Sequence, residues 1–233
     1  MAAEISQLNL ARASDSVFQI LREGILTQIF KPGERLNVHD LAARFGVSLT
    51  PVKDAINRLA AQGLIEIKPR SGTFVTAISP RDVAETFEIR AALECLAAER
   101  MLTRVTPGDV ERFRKLVADL EKPITTEKQR VFHEAKNIEF HALIVELSVN
   151  RKLIEMYGSL NAHIQIARIH DNRREWTERM EQERKEHREI FLAIEARNCK
   201  RLVETLNGHI NRAARALVGD LRGGERENNQ PPI

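Results

Sequence analysis

Between Val38 and Leu59 the apolar residues fall into two short runs of helical period. In the first, Val38 to Phe45, Leu41, Ala42 and Phe45 share one face. Gly46 ends that run, since glycine takes the φ > 0 geometry of a helix end at little cost, and Val47 reads as a buried turn residue. In the second run Val52, Ala55, Ile56 and Leu59 recur at i, i+3, i+4 and i+7, which draws one apolar stripe. Ser48 or Thr50 is placed to cap this helix, and Pro51 suits its first turn, where its missing N–H loses no hydrogen bond. Upstream, Val17, Ile20, Leu21, Ile25 and Ile29 predict an amphipathic helix closed by Lys31-Pro32-Gly33.

The face opposite the second stripe presents Thr50, Lys53, Asn57 and Arg58 to solvent. Short polar and cationic groups over a buried stripe suit a groove lined with phosphates and base edges. Gly63 ends the helix, and Leu64–Lys68 and Thr73–Thr76 read as strands joined by Pro69-Arg70-Ser71-Gly72. Lys68 and Arg70 put charge near the tip of that hairpin. Helix, tight turn, helix and hairpin in this order predict a winged helix-turn-helix, whose second helix enters the DNA major groove.

Beyond Thr76 no segment has strand character, and every long segment has helical period. The expected helices are 80–102, 107–121, 126–148, 151–171, 174–197 and 199–219. Ser79-Pro80-Arg81-Asp82 and Thr106-Pro107-Gly108-Asp109 both place a capping hydroxyl, a proline at the first position and an acid at the third. The fold class is therefore mainly α: a winged helix-turn-helix over residues 1–78, an all-α helical bundle over 79–222, and a polar, disordered tail over 223–233 (GGERENNQPPI).

Composition narrows the class further. The 233 residues fit two domains, and a hydrophobic content of 42% supplies packed cores. No apolar run approaches the ~20 residues that span a bilayer, and residues 1–9 lack the cationic start and apolar centre of a leader. Cys95 and Cys199 make a poor disulfide framework and suit a reducing cytoplasm. The net charge of +3 permits DNA binding without concentrating it, because residues 1–78 carry nine Lys and Arg against seven Asp and Glu.

Three histidines of the bundle lie on apolar stripes. His141 is set among Phe140, Leu143, Ile144 and Leu147, His187 among Met180, Ile190, Phe191 and Ile194, and His209 among Leu202, Leu206, Ile210 and Ala213. Asn137 precedes His141 by four residues and shares its face. An inward imidazole needs a partner, since an unpaired buried polar group is costly. Three on three inward faces can converge on a divalent ion with Asn137 supplying an oxygen, and imidazole suits Zn, Ni, Cu and Fe. The alternative is a metal-free pocket in which the same groups hydrogen-bond an organic acid. His133 and His170 are assigned to surface or structure. Arg168 follows Leu160, Ile164 and Ala167 along one helical edge, and a partly buried arginine there or at Arg90 needs an anion: an effector carboxylate, or an internal acid such as Glu94.

These residues also carry a resemblance. Pro32-Gly33-Glu34-Arg35-Leu36, Leu41-Ala42, Gly46-Val47-Ser48, Thr50-Pro51-Val52, Arg58-Leu59, Gly63-Leu64 and Gly72 resemble the DNA-binding domain of GntR-type bacterial transcription regulators over residues 14 to 78. The resemblance implies DNA contacts from Arg35, His39, Ser48, Leu49, Thr50, Lys53, Asn57, Arg58, Arg70 and Gly72. Leu49 and Lys53 stand where the family usually has arginine, so its usual operator preference does not transfer. Residues 80 to 220 resemble the FCD ligand-binding domain, with Asn137-Ile138-Glu139-Phe140-His141, His187 and His209 matching its metal pattern and Asn137 replacing the usual aspartate. An amide carbonyl coordinates without negative charge, so affinity should be lower than with aspartate. The likeness implies a divalent metal ion, Zn or Ni first, with Arg90 and Arg168 toward the effector. The expectation is a cytoplasmic transcription regulator, a homodimer through its helical domain, that binds a double-stranded DNA operator under control of a small organic acid. A metal-responsive regulator and a His-metal hydrolase are the rivals.

Overall fold

The computed structural model describes residues 2–27, 29–169 and 176–228, and the side chains of 2–12, 127, 161–163, 165–169, 176–178 and 223–228 lie outside the description. The chain divides into two compact units with the boundary between Ser79 and Pro80, residues 161–169 grouping with the first.

The first unit is built from α1 (Ala2–Leu26), β1 (Arg35–Leu36), α2 (Val38–Phe45), α3 (Leu49–Ala61), β2 (Ile65–Lys68) and β3 (Gly72–Val75). Its antiparallel sheet has the order β1-β3-β2, so β3 pairs with both neighbours: Leu36 faces Thr73, and Ile65 faces Val75. The hairpin was expected; β1, only two residues long, was not. Val17, Leu21 and Ile25 of α1 are buried as expected, together with Phe18, whereas Ile20 and Ile29 are exposed. The helix ends at Leu26, before Ile29, and Phe30 is the buried residue beyond it. Pro51, Val52, Ala55, Ile56 and Leu59 form the buried stripe of α3. Burying each of the larger aliphatic members contributes ~1.5–3 kcal/mol, which fixes the rotation of the helix and leaves its polar face outward.

The second unit is all helix among the described residues: α4 (Pro80–Leu102), α5 (Pro107–Leu120), α6 (Glu127–Leu147), α7 (Arg151–Ile169) as far as Leu160, α8 (Trp176–Glu195) and α9 (Cys199–Asn228). Capping boxes start two of them, Thr106 with Asp109 and Thr126 with Gln129, each satisfying orphan amides at both ends of the box. The inward stripes bury Phe87, Met101, Phe113, Phe140, Ile144, Ile190, Leu206 and Ile210. The backbone of α9 continues to Asn228, through the Gly223-Gly224 pair at which the expected tail begins. Once a helix is nucleated each further residue adds one hydrogen bond, and Glu225, Arg226 and Glu227 are good helix formers.

Candidate metal centre and DNA-reading face

The candidate DNA-reading face starts at Asn37, which caps α2 by accepting from the backbone N–H of His39 at 3.0 Å and of Asp40 at 3.4 Å. Gly46 ends α2 at φ 65°, ψ 33°, a left-handed conformation that favours glycine. The next helix then crosses as a second, separate rod. Ser48 holds its N-cap position without a side-chain capping bond. Thr50, Lys53 and Asn57 are exposed on the outer face of α3, Leu49 is half-buried, and Val47, expected to be buried, is half-buried as well. His39 and Arg35 are exposed. At the hairpin tip Arg70 is exposed with φ 63°, and Gly72 has φ 126°. A Cβ on Gly72 would lie 2.9 Å from Arg35 Nε, so the glycine is the seat over which the Arg35 guanidinium passes.

Arg58 departs from its expected place. Its guanidinium donates to Asp15 at 2.8 Å, stands 3.7 Å from Asp54 and lies 4.3 Å over the Phe18 ring. Ser14 donates to Asp54 beside it. Arg58 therefore ties α3 to α1 instead of standing free on the outer face. The partners Asp15 and Phe18 belong to a helix some 40 residues away, which helical periodicity within α3 cannot reveal.

In the helical unit Asn137 and His141 on α6, His187 on α8 and His209 on α9 are all buried. The three rings come together: their ligand nitrogens lie within 4.8 Å of one another, and the His141 and His209 rings stack at 5.1 Å. The Phe140 ring packs edge-on to both His141 and His187 and closes the cluster on one side.

Each imidazole has its outer nitrogen committed. Glu94 Oε2 is 2.6 Å from His141 Nδ1, Glu186 Oε2 is 2.7 Å from His209 Nδ1, and the Glu183 backbone carbonyl is 2.8 Å from His187 Nδ1. Carboxylates and carbonyls only accept, so all three Nδ1 atoms carry the proton and a neutral ring presents a lone pair at Nε2. Those lone pairs meet each other. His141 Nε2 and His209 Nε2 are 3.2 Å apart, and His187 Nε2 is 3.1 Å from Asn137 Oδ1. The Asn137 oxygen is fixed in that direction because its Nδ2 donates to Glu183 Oε1 at 2.7 Å. With the three rings neutral, four acceptors converge with no donor between them. This donor set fits a divalent cation, and a carboxylate behind His141 and His209, with a backbone carbonyl behind His187, is the usual device for orienting a ligating histidine.

The electrostatics agree. Burial pushes His141 down to about 3, against the opposing charge of Glu94, and drives His187 well below its ordinary value. Burial alone would raise Glu94, but Arg90 and His141 outweigh it and hold the carboxyl far below the usual range. Glu186, likewise opposed by burial, is brought to about 2 by its bonds to His209 and Arg212. Arg212 grips it twice, at 2.5 and 2.6 Å.

Arg90 is 2% exposed, and its Nε donates to Glu94 Oε1 at 2.6 Å. Of the two anions weighed for it, the internal acid therefore holds Nε. Its Nη1 is buried with no hydrogen-bond partner. Tyr157 also donates to Glu94 Oε1, at 3.0 Å. Arg168 falls on α7, and its side chain lies outside the described residues, as does His170. His133 is only 1% exposed, so of surface and structure it belongs to structure. Glu183, Glu186, Tyr157 and Arg212 were not read from the sequence. Glu94 and Glu183 were detectable: each occupies a stripe position, between Arg90 and Ala97 and between Met180 and His187.

The FCD domain family matches residues 85–212, and the family of bacterial regulatory proteins, gntR family, matches residues 13–75. The chain is 31% identical over 205 residues to a Bacillus subtilis (strain 168) protein described as the uncharacterized HTH-type transcriptional regulator YdhC, covering 88% of this chain and 91% of that one. It is 25% identical to the HTH-type transcriptional repressor RspR of Escherichia coli (strain K12), over 91% and 92% of the two chains. Among solved structures, a transcriptional regulator GntR from Rhodococcus sp. RHA1 superposes with a TM-score of 0.71 at 21% identity, over 88% of this chain and 97% of that one.

Proposed function

The chain belongs to the gntR family of bacterial regulatory proteins and carries an FCD domain, which makes it a DNA-binding transcription regulator, and we propose that its affinity for an operator is set by a small carboxylate metabolite held at a metal-containing pocket of the helical unit. The family consists of regulators, not enzymes, which removes the hydrolase alternative. The observation that carries the proposal is the convergence of ligand atoms from His141, His187 and His209, within 4.8 Å of one another, with Asn137 Oδ1 3.1 Å from His187 Nε2. These residues would hold the ion, and Zn and Ni both suit three imidazoles and an amide oxygen. A divalent ion there supplies positive charge that draws a carboxylate. Glu94, Glu186 and the Glu183 carbonyl fix the rings. The buried, unpartnered Nη1 of Arg90 supports a role in holding the effector; Arg168 stays in the proposed effector set.

On the DNA side Lys53, Asn57 and Thr50 read the major groove from α3, with Leu49 offering apolar contact to a thymine methyl. His39 and Ser48 flank them, and Arg35 and Arg70 take phosphate or minor groove from the wing, Arg35 positioned by Gly72. Arg58 is left out of this set, because α1 occupies its guanidinium. Two copies joined through their helical units would present two heads at a fixed half-site spacing, so an effector that changes that spacing changes affinity.

The test is a gel-shift titration of Zn-loaded protein on DNA upstream of its own gene, with a panel of small mono- and dicarboxylates. One acid should change the DNA dissociation constant at least tenfold while neutral analogues do not. A sequence-selective shift that ignores both acids and metal refutes effector control; the absence of any salt-sensitive shift refutes operator binding. The converging lone pairs also favour a second reading, in which the ion itself is the signal. Titrating metal without organic acid separates the two.

A further inference from the structure

Asn137 raises a chemical question that the histidines do not. A primary amide presents either its oxygen or its nitrogen to a neighbour, and only the oxygen can approach a cation. Here the choice is made by one side chain. Glu183 Oε1 accepts from Asn137 Nδ2 at 2.7 Å, which turns Oδ1 toward His187 Nε2 at 3.1 Å. The same residue's backbone carbonyl accepts from His187 Nδ1 at 2.8 Å. Glu183 lies one helical turn before His187 on α8 and 46 residues from Asn137, and it is buried. One residue thus orients two of the four converging groups, by its side chain and by its main chain.

We propose that Glu183 is the positioning residue that makes Asn137 a metal ligand: its carboxylate fixes the amide with oxygen toward the centre and supplies, one hydrogen bond away, the negative charge that an amide lacks. This rests on the metal reading given above. A carboxylate accepting from Nδ2 polarises the amide and adds electron density at Oδ1, as a carboxylate behind an imidazole does at Nε2. Asn137 and Glu183 therefore act as a pair in which the charged member stands behind and the neutral member in front. Exchanging the two chemistries should keep the function, with an Asp in front and a Gln behind donating its amide to it. An Asp at position 137 facing Glu183 would instead set two carboxylates against each other.

The experiment is a calorimetric titration of Zn2+ alone into metal-free full-length chain, with E183Q, E183A and N137D/E183Q beside wild type. Wild type should bind one ion per chain. E183Q keeps shape and an acceptor but loses charge, and E183A loses orientation as well. The expected affinities fall in the order wild type, E183Q, E183A, with E183A weaker by about 10–100-fold, the usual cost of losing an outer-shell partner. N137D/E183Q should recover to wild-type affinity or better, an outcome that a merely structural role for Glu183 cannot produce. Circular dichroism of each metal-free variant checks that the helices are intact. If wild type binds Zn2+ and both single variants bind it equally well, or the double variant stays as weak as E183A, the assignment of Glu183 is overturned while the metal centre stands. If wild type binds no Zn2+, both fall.

Discussion

Glu94 is the most exacting place to test the site's construction. It is fully buried and carries three donors: Arg90 Nε at 2.6 Å and Tyr157 Oη at 3.0 Å on Oε1, and His141 Nδ1 at 2.6 Å on Oε2. In E94Q the amide oxygen must stay with Arg90 and Tyr157, which can only donate to it in this geometry. The amide nitrogen then faces His141 Nδ1, donor against donor. The ring escapes only by moving its proton to Nε2, into the space where the lone pairs converge. Two losses follow. Arg90 keeps a buried positive charge without its anion, at a cost of about 3–5 kcal/mol. That is a large share of a total stability of roughly 5–15 kcal/mol. Zinc affinity also falls, by at least the ~10–100-fold expected when an outer carboxylate is lost. Urea unfolding of metal-free protein reads the first loss and zinc calorimetry the second. The double variant R90M/E94Q sharpens the test. With the guanidinium gone, the introduced glutamine can turn its oxygen to His141 and restore the tautomer, so part of both losses should return, with a coupling of about 1–3 kcal/mol. The reasoning is refuted if E94Q costs less than about 1 kcal/mol, or if the two substitutions simply add.

Acid should destabilise the metal-free protein. His141 and His187 are held neutral in the fold, so below about 6.5, the ordinary histidine value, the unfolded chain binds protons that the folded chain refuses. Stability is then complete above that pH and falls beneath it, by ~2 kcal/mol for His141 at about pH 5 and further for His187, with Glu94 and Glu186 adding to the loss below the usual carboxylate range. Equal urea midpoints at pH 7.5 and 5 would contradict this. K53A should weaken operator binding more than binding to scrambled DNA and so relax sequence preference, measured by fluorescence anisotropy on both duplexes. G72A places a Cβ 2.9 Å from Arg35 Nε at a φ of 126°, and should cost the winged unit on the order of 1–3 kcal/mol and weaken DNA binding with it. R58A should lower the melting temperature of the same unit, through loss of the Asp15 pair and the Phe18 contact, more than it changes base preference.

Periodicity made the long elements legible. The stripe Val52, Ala55, Ile56, Leu59 located α3 and its outer face, and the inward residues of the bundle placed all six of its helices to within a few residues, the far end of α9 excepted. What escaped depended on partners distant in sequence. The two residues of β1 have no pattern of their own and are a strand only because Phe74 and Thr73 pair with them. Arg58 lies on the polar side of its helix by spacing, yet α1 brings Asp15 and Phe18 against it. Ile29 continues the α1 stripe in sequence, but the helix has already ended at Leu26.

At the site the inward histidines were legible and most of the acids behind them were not, although the same logic reaches both. Glu94 follows Phe87 and Arg90 on the buried stripe of α4, and Glu183 stands between Met180 and His187 on that of α8. A carboxylate on such a stripe is too costly to bury alone, so its position already predicts a set of donors around it. The donors found are Arg90, Tyr157 and His141 for Glu94, and Asn137 for Glu183. The acids therefore face the backs of the candidate ligands and leave the proposed centre itself to three imidazoles and an amide oxygen. Three imidazoles and an amide oxygen cancel none of the charge of a divalent ion, whereas a carboxylate at position 137 would cancel part of it. On the proposed function, Asn at that position leaves the ion more positive charge than Asp would, even with Glu183 behind it, and that charge would draw a small anionic effector.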